Sequence, residues 1–348
     1  MPPWGRPVDD AQRRPYVRRE RFILTDLISA QLTERDRFRI IDGGARDALD
    51  DPRWRAFDPA HVTLHGFEVD AANCAELNRV ANEAGLDYHF HPIGLWSSDG
   101  EVVFYDNLAP GGGSLYPQNT GLTDRWLMHM GSLARDIFRP TGTFTVPVTT
   151  LGNWAECARI EDIDFIKLNV QGAEMEILHE AANLPDRAVG MQLEVSFVES
   201  YHGRPFFTDV DGFMRERGFA FFDFIGPHYV SRADSPVIAR LCPGLDQHWA
   251  RGQLIEAQAL YLRDPIGQVP GDHRGPFGAA SLEDDFVLAK LLKLAALSEV
   301  WGQVEFAFEL LVFAGSRLAD LGNPTGAARL NDLVQEGCQR YREHMWCW

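Results

Sequence analysis

Lysine is nearly absent from this sequence: only Lys167, Lys290 and Lys293 occur, and arginine supplies the rest of the 33 basic residues. That scarcity reads as composition, and nothing about mechanism follows from it. Positive charge is short overall, since 50 acidic residues leave a formal charge of −17. This excludes a general electrostatic attraction to nucleic acid or anionic lipid and points to a small ligand. Cysteine is sparse too: the five at 74, 157, 242, 338 and 347 are widely spaced and contain no CxxC pair. Neither a disulfide framework nor a thiolate zinc site is suggested, and a reducing compartment is expected. No apolar run approaches the roughly 18 residues a spanning helix needs, and the amino-terminal MPPWGRPVDDAQRRPYVRRE has no apolar signal region. The sequence therefore predicts a soluble, cytoplasmic protein with no membrane span.

What is present is an alternation of strand-like and helical segments. A Pro- and Arg-rich arm precedes a helix-like stretch with Phe22, Leu24, Leu27, Ile28 and Leu32 on its apolar face, so 1–35 reads as arm and helix. Apolar β-type runs follow at Phe38–Ile41, Val62–Val69, Tyr88–Ile93, Phe144–Val148, Ile163–Val170, Val189–Val195, Phe219–Phe224 and Ala257–Leu262. With helical segments between several of them, they predict an α/β domain over 36–263 with a largely parallel sheet covered on both faces. A Pro- and Gly-rich stretch, 264–280, separates this from a tail of different character, 281–348. That tail starts with a capping-box pattern at Ser281-Leu-Glu-Asp284 and predicts three helices. In the last of them Ala327, Leu330, Val334, Cys338 and Tyr341 share one face. The second carries Phe306, Phe308, Leu310, Leu311, Val312 and Phe313 on more than one face, which demands a partner surface: the sheet or a second copy of the chain.

Three strand ends carry chemistry. Ile40-Ile-Asp-Gly-Gly-Ala45 ends a strand in an acid and two glycines, where the backbone can approach a ligand and a following helix would present N–H groups. Leu64-His-Gly-Phe-Glu-Val-Asp70 ends the next in Glu68, a carboxylate able to accept both hydroxyls of a ribose. Asp164-Phe-Ile-Lys-Leu-Asn-Val-Gln-Gly-Ala-Glu174 runs from strand to helix with Asn169, Gln171 and Glu174 at the carboxyl-end crevice where open α/β sheets bind ligands. The third glycine of a dinucleotide loop is missing and Asp47 stands near, so a pyrophosphate is disfavoured. A nucleoside with a zwitterionic, cationic tail, S-adenosylmethionine, suits these carboxylates and carbonyls better.

These segments, IIDGGA, GFEVD, VTTLGNWA with DFIKLNVQGAE, and LEVSFVESYHGRPFF, resemble the FkbM family of S-adenosylmethionine-dependent methyltransferases. The third is the most specific, since the family's strand is of the type IK-apolar-Asp-apolar-Glu-Gly-Ala-Glu. Asn169 stands where the family has Asp, and Gln171 where it has Glu, so two charges are lost. A neutral amide at 169 keeps a positioning role and cannot serve as a base. The resemblance implies a Rossmann-like methyltransferase sheet of about seven strands, the last antiparallel, with a C-terminal helical appendage. It implies a cofactor, S-adenosylmethionine, resting on Asp42, Gly43 and Gly44, on Glu68 and Val69, on Ile93 and Gly94, and on Asn169. Asn169, Glu174, Glu194 and His129 are the catalytic candidates, with His202 a further candidate base. O-methylation of a hydroxyl in a sugar, polysaccharide unit or secondary metabolite follows from the family alone.

Each candidate has a plainer alternative. Glu174 in a first helical turn complements the helix dipole, and Glu194 can be a solvated strand end. The segment 106–143 is long for a connection and reads as a lid or substrate loop carrying Tyr116, Trp126 and His129. Its glycine run at 111–113 lacks a following GK[ST] and is not a phosphate loop. His89 and His91 alternate on one strand without a third ligand at metal spacing, so no metal is expected. The partners expected are a small-molecule or glycan acceptor and, through the tail helices, a second copy of the chain. The competing reading is a cofactor-binding or interaction protein of the same fold with impaired transfer; a nicotinamide oxidoreductase ranks third.

Overall fold

Two central strands, Phe165–Leu168 and Gly190–Ser196, are buried at every position. Elements cover both faces of their sheet, which is why they read as unbroken apolar runs rather than as alternation. The protein is described by a computed structural model over residues 22–33, 36–109, 111–127, 134–232, 252–267, 274–277 and 284–345. In chain order its main elements are α1 (Ile23–Ser29), β1 (Phe38–Gly43), β2 (Val62–Phe67), α2 (Ala71–Glu83), β3 (Tyr88–His91), β4 (Gly94–Leu95), β5 (Gly100–Asn107), β6 (Trp126–Leu127) and β7 (Pro140–Thr149). Then come α3 (Leu151–Ala158), β8 (Phe165–Leu168), α4 (Glu174–His179), β9 (Gly190–Ser196), α5 (Phe207–Glu216), β10 (Phe219–Arg232), β11 (Gln253–Arg263), α6 (Asp285–Val300), α7 (Val304–Asp320) and α8 (Pro324–Met345).

Among the described residues the large sheet has eight strands in the order β3-β2-β1-β8-β9-β11-β10-β6. From β3 to β9 neighbouring strands are parallel, whereas β11 runs antiparallel to both β9 and β10. One strand more than the expected seven is present because the two residues of β6 pair with Ser231 and Arg232 at the edge. The run Phe144–Val148 lies outside this sheet: β7 pairs with β4 and, antiparallel, with β5 in a separate three-stranded sheet. Strand β5 escaped the sequence pattern because it has little buried surface, with Asn107 its one buried residue, and so no apolar face to read. No α-helix follows β1 either. Short 3-10 turns, the first at Ala48–Asp50, occupy that connection.

The tail is part of the sheet's cover. Helix α6 is buried almost all round, and its Leu291, Leu294 and Leu297 share one apolar cluster with Phe38, Phe165, Leu260 and Leu262 of the strands. Trp301 at its end lies 4.3 Å from the Phe165 ring and 5.5 Å from that of Trp54, and its Nε1 donates to Gln192 Oε1 at 2.9 Å. Leu310 and Leu311 of α7 and Leu330, Val334 and Tyr341 of α8 complete the cluster, so the apolar faces that raised the expectation of a second copy are largely covered within the chain. Asp284 caps α6 through Phe286 N; Ser281 of the capping-box pattern and the arm 1–21 lie outside the described residues. Glu299 in turn accepts from Leu24 N and Thr25 N at 2.9 and 2.7 Å, tying α1 to the tail.

All three lysines prove to be buried and paired. Lys167 meets Asp42 at 2.9 Å, while Lys290 and Lys293 grip Asp164 at 2.7 and 2.9 Å from α6. Burial would raise the Asp164 carboxyl, but the two lysines outweigh it and hold the group down at about 2. Lysine is thus confined to internal ion pairs, a function its scarcity did not reveal.

Candidate functional site

The crevice forms where the carboxyl ends of β1, β2 and β8 meet. Gly44 has φ +76°, and a Cβ there would lie 2.0 Å from the Asn169 carbonyl oxygen, so only glycine lets the turn after β1 sit against the end of β8. Asn169 N donates to Gly43 O at 2.9 Å, and the N–H groups of Gly44 and Ala45 both donate to Phe67 O. These bonds bring Gly43, Gly44, Glu68 and Asn169 to one place. Val69 and Gly94 join them, since a Cβ on Gly94 would lie 3.2 Å from Val69 Cγ1, and Ile93 is half-buried beside them.

Glu68 is buried at the end of β2, its Oε1 accepting from Asp70 N at 2.8 Å and its Oε2 from Asn73 Nδ2 at 3.4 Å. Burial raises its carboxyl above the ordinary value. Asp70 caps α2 through Ala72 N and Asn73 N, which fixes this corner. Asp42 is placed differently from the other expected cofactor residues. Its two oxygens are held by Lys167 Nζ at 2.9 Å and Trp54 Nε1 at 3.0 Å, so the protein itself satisfies this carboxylate.

At the end of β8 the polar groups form a network. Gln171 Nε2 donates to Asn169 Oδ1 at 3.1 Å and to Glu194 Oε2 at 3.0 Å, and Tyr201 Oη lies 3.1 Å from Gln171 Oε1. Glu174 Oε1 accepts from Val170 N at 3.0 Å and Gly172 N at 3.4 Å, so this buried acid braces the loop. Glu194 is covered by Gln171 and by Arg204, whose Nη2 is 3.5 Å from its Oε1. Burial drives the Glu194 carboxyl well above its ordinary value, with the nearby Glu256 adding to the effect. Glu256 is held low, because His228 Nδ1 at 2.8 Å and Arg204 oppose its desolvation.

Sequence reasoning missed Arg204, Tyr201, Glu256 and His228 as members of this network. Tyr201 and Arg204 lie in the segment LEVSFVESYHGRPFF that carries the resemblance, and Glu256 is an acid just before the apolar run Ala257–Leu262; His228 carried no local pattern. His202 is exposed, its backbone N–H bound to Pro117 O, and His129 lies outside the described residues. Of the loop aromatics, Trp126 is buried in β6 and Tyr116 donates its hydroxyl to Glu176. Beyond Tyr201 opens a cleft of about 230 Å³ lined by Tyr105, Asp106, Asn107, Gln118 and Thr143 among others. His65, His89 and His91 stack beside Trp154, and burial with the neighbouring imidazoles pushes His65 down to about 4. Among the described residues no group of three or more His, Cys, Asp or Glu side chains is arranged to hold a metal ion, and no helix is long and apolar enough to cross a membrane.

No curated protein matches the chain. A solved structure of the methyltransferase FkbM from Methylobacillus flagellatus KT is similar at 12% identity with a TM-score of 0.32. The match covers 65% of this chain and 44% of that one, so the chain spans less than half the length of this neighbour. The model of the methyltransferase FkbM domain matches residues 42–221, more than half of the sequence, from the end of β1 through β2, β8 and β9. The chain belongs to the FkbM methyltransferase family.

Proposed function

We propose that the chain is an S-adenosylmethionine-dependent O-methyltransferase acting on a hydroxyl of a sugar, polysaccharide unit or secondary metabolite. The observation that carries the cofactor reading is Glu68, a buried carboxylate oriented by Asp70 N–H, next to the glycine turn that abuts Asn169. The strand order, with β11 antiparallel between β9 and β10, supports a Rossmann-like methyltransferase layout.

The residues fit this cofactor by their chemistry. Glu68 offers a carboxylate to a ribose, Val69 and Ile93 offer apolar walls to adenine, and Gly43, Gly44 and Asn169 border the amino-acid end. When bound, the cofactor would supply an electrophilic methyl on a sulfonium to the acceptor hydroxyl, whose proton would pass to a base. The chain's share is positioning and exclusion of water. Glu194, with its side chain 2% exposed behind Gln171, acts in this reading by positioning Gln171, and Glu174 by holding the loop. The cleft beyond Tyr201 is where this reading seats the acceptor, with the rings of Tyr105 and Tyr201 able to lie against a sugar.

Calorimetry with S-adenosylhomocysteine tests the reading. Wild type binds it, and Glu68→Ala, folded by circular dichroism, loses about 1.5–3 kcal/mol of affinity, the worth of a hydrogen bond to a charged group. Equal affinity in the folded variant removes Glu68 from the site. Release of S-adenosylhomocysteine with a panel of sugar acceptors then decides between transfer and binding alone.

A further inference from the structure

The two amides at the end of β8 form a directed chain. The backbone N–H of Gln171, which cannot flip, lies 3.3 Å from Glu194 Oε2 and marks that oxygen as an acceptor. The side-chain Nε2 of Gln171 stands 3.0 Å from the same oxygen and 3.1 Å from Asn169 Oδ1. An amide nitrogen has two hydrogens to donate and accepts nothing, so both oxygens receive one and Gln171 Oε1 turns toward the Tyr201 hydroxyl. Reversing Gln171 would set its oxygen against Glu194 Oε2, and reversing Asn169 would set nitrogen against nitrogen. Asn169 therefore has its oxygen engaged within the protein. Its Nδ2, which has no partner among the described residues, is left as a donor on a half-buried side chain beside Gly44. An acid at 169 could only accept in the same place.

We propose that Asn169 is a specificity-determining hydrogen-bond donor, polarised by Gln171 and Glu194, that holds the carboxylate at the amino-acid end of the cofactor. The proposal rests on the methyltransferase reading of the crevice and deepens it. The anionic end of the ligand lies against β8, so its ammonium group must face carbonyls elsewhere. Gln171 touches no ligand; it acts by keeping Asn169 in one orientation.

Titration calorimetry with two ligands tests this in the full chain: S-adenosylhomocysteine, and its decarboxylated analogue, which keeps the amine and the nucleoside. Wild type prefers the first by about tenfold or more, the size of one hydrogen bond to a charged group. In Asn169→Ala and in Asn169→Asp that preference shrinks, because neither side chain can donate to the ligand's carboxylate. The inference is overturned if both variants keep the wild-type preference. Should a variant not fold, the wild-type pair still decides: equal affinity for the two ligands removes any donor to the carboxylate. Wild type that binds neither ligand refutes the methyltransferase reading itself, an outcome distinct from these.

Discussion

The two ends of β8 hold charge in opposite ways. At the amino end Asp164 is wholly buried and saturated: Lys290 and Lys293 from α6, and Arg39 N from β1, all meet its oxygens. At the carboxyl end three acids, Glu174, Glu194 and Glu256, share Arg204 and His228, and the buried atoms Glu194 Oε1 and Arg204 Nε have no hydrogen-bond partner. The first arrangement anchors the tail to the sheet. The second leaves polar groups incompletely satisfied at the end where the proposed cofactor site lies, a pattern that fits binding rather than stability.

The largest effect is expected at the saturated end. Asp164→Ala leaves Lys293 buried without a carboxylate and Lys290 with Asp162 alone, and should destabilise the protein by about 3–5 kcal/mol, read as a lower urea midpoint. A loss below about 1 kcal/mol would mean that water reaches this cluster and that the contrast between the ends is false. The same anchoring makes truncation before α6 a test of folding: a chain ending at Pro276 loses Lys290, Lys293 and Trp301 together and should be insoluble, whereas a soluble, cooperative product would make the tail dispensable.

The ends should also titrate in opposite senses. Asp164 is depressed from an ordinary 3.8 to about 2, so its stabilisation is present above 3.8 and is lost as pH falls toward 2. Glu194 is raised well above its ordinary 4.5, so its contribution is present below 4.5 and is lost as pH rises through the folded value. Denaturation midpoints from acid to neutral pH should therefore pass through a maximum, and Glu194→Gln should flatten the decline on the alkaline side. A variant that declines as wild type does would move that titration to another group.

The smallest effect belongs to Glu194→Gln below pH 4.5, the ordinary value above which burial lifts the native carboxyl. An amide replaces it with little change in shape or charge, so stability should stay within about 1 kcal/mol of wild type by chemical denaturation. A larger loss would show that Glu194 is ionised and paired with Arg204, making the two ends alike.

Much of this was legible in the sequence because it is local. Apolar periodicity marked the buried strands and the three tail helices, Gly44 marked the turn that must approach Asn169, and Glu68 marked the end of β2. Each signal depends on residues within a few positions of one another. Strand β5 was missed for the complementary reason: with little buried surface it has no periodic face.

The charged groups depended on the fold. Asp42 follows an apolar strand and looks like a ligand, yet Lys167 and Trp54 satisfy it from neighbouring elements. Asp164 is 126 residues from Lys290, and Glu194 meets Glu256 because β11 runs back beside β9. Composition and periodicity determined which segments are strands or helices and which face is apolar, since burial acts on each residue through its immediate neighbours. Strand order alone decided which acids are neutralised, which remain strained by burial, and which way Asn169 turns, because electrostatic and hydrogen-bond partners act over a few ångströms of space whatever their separation along the chain.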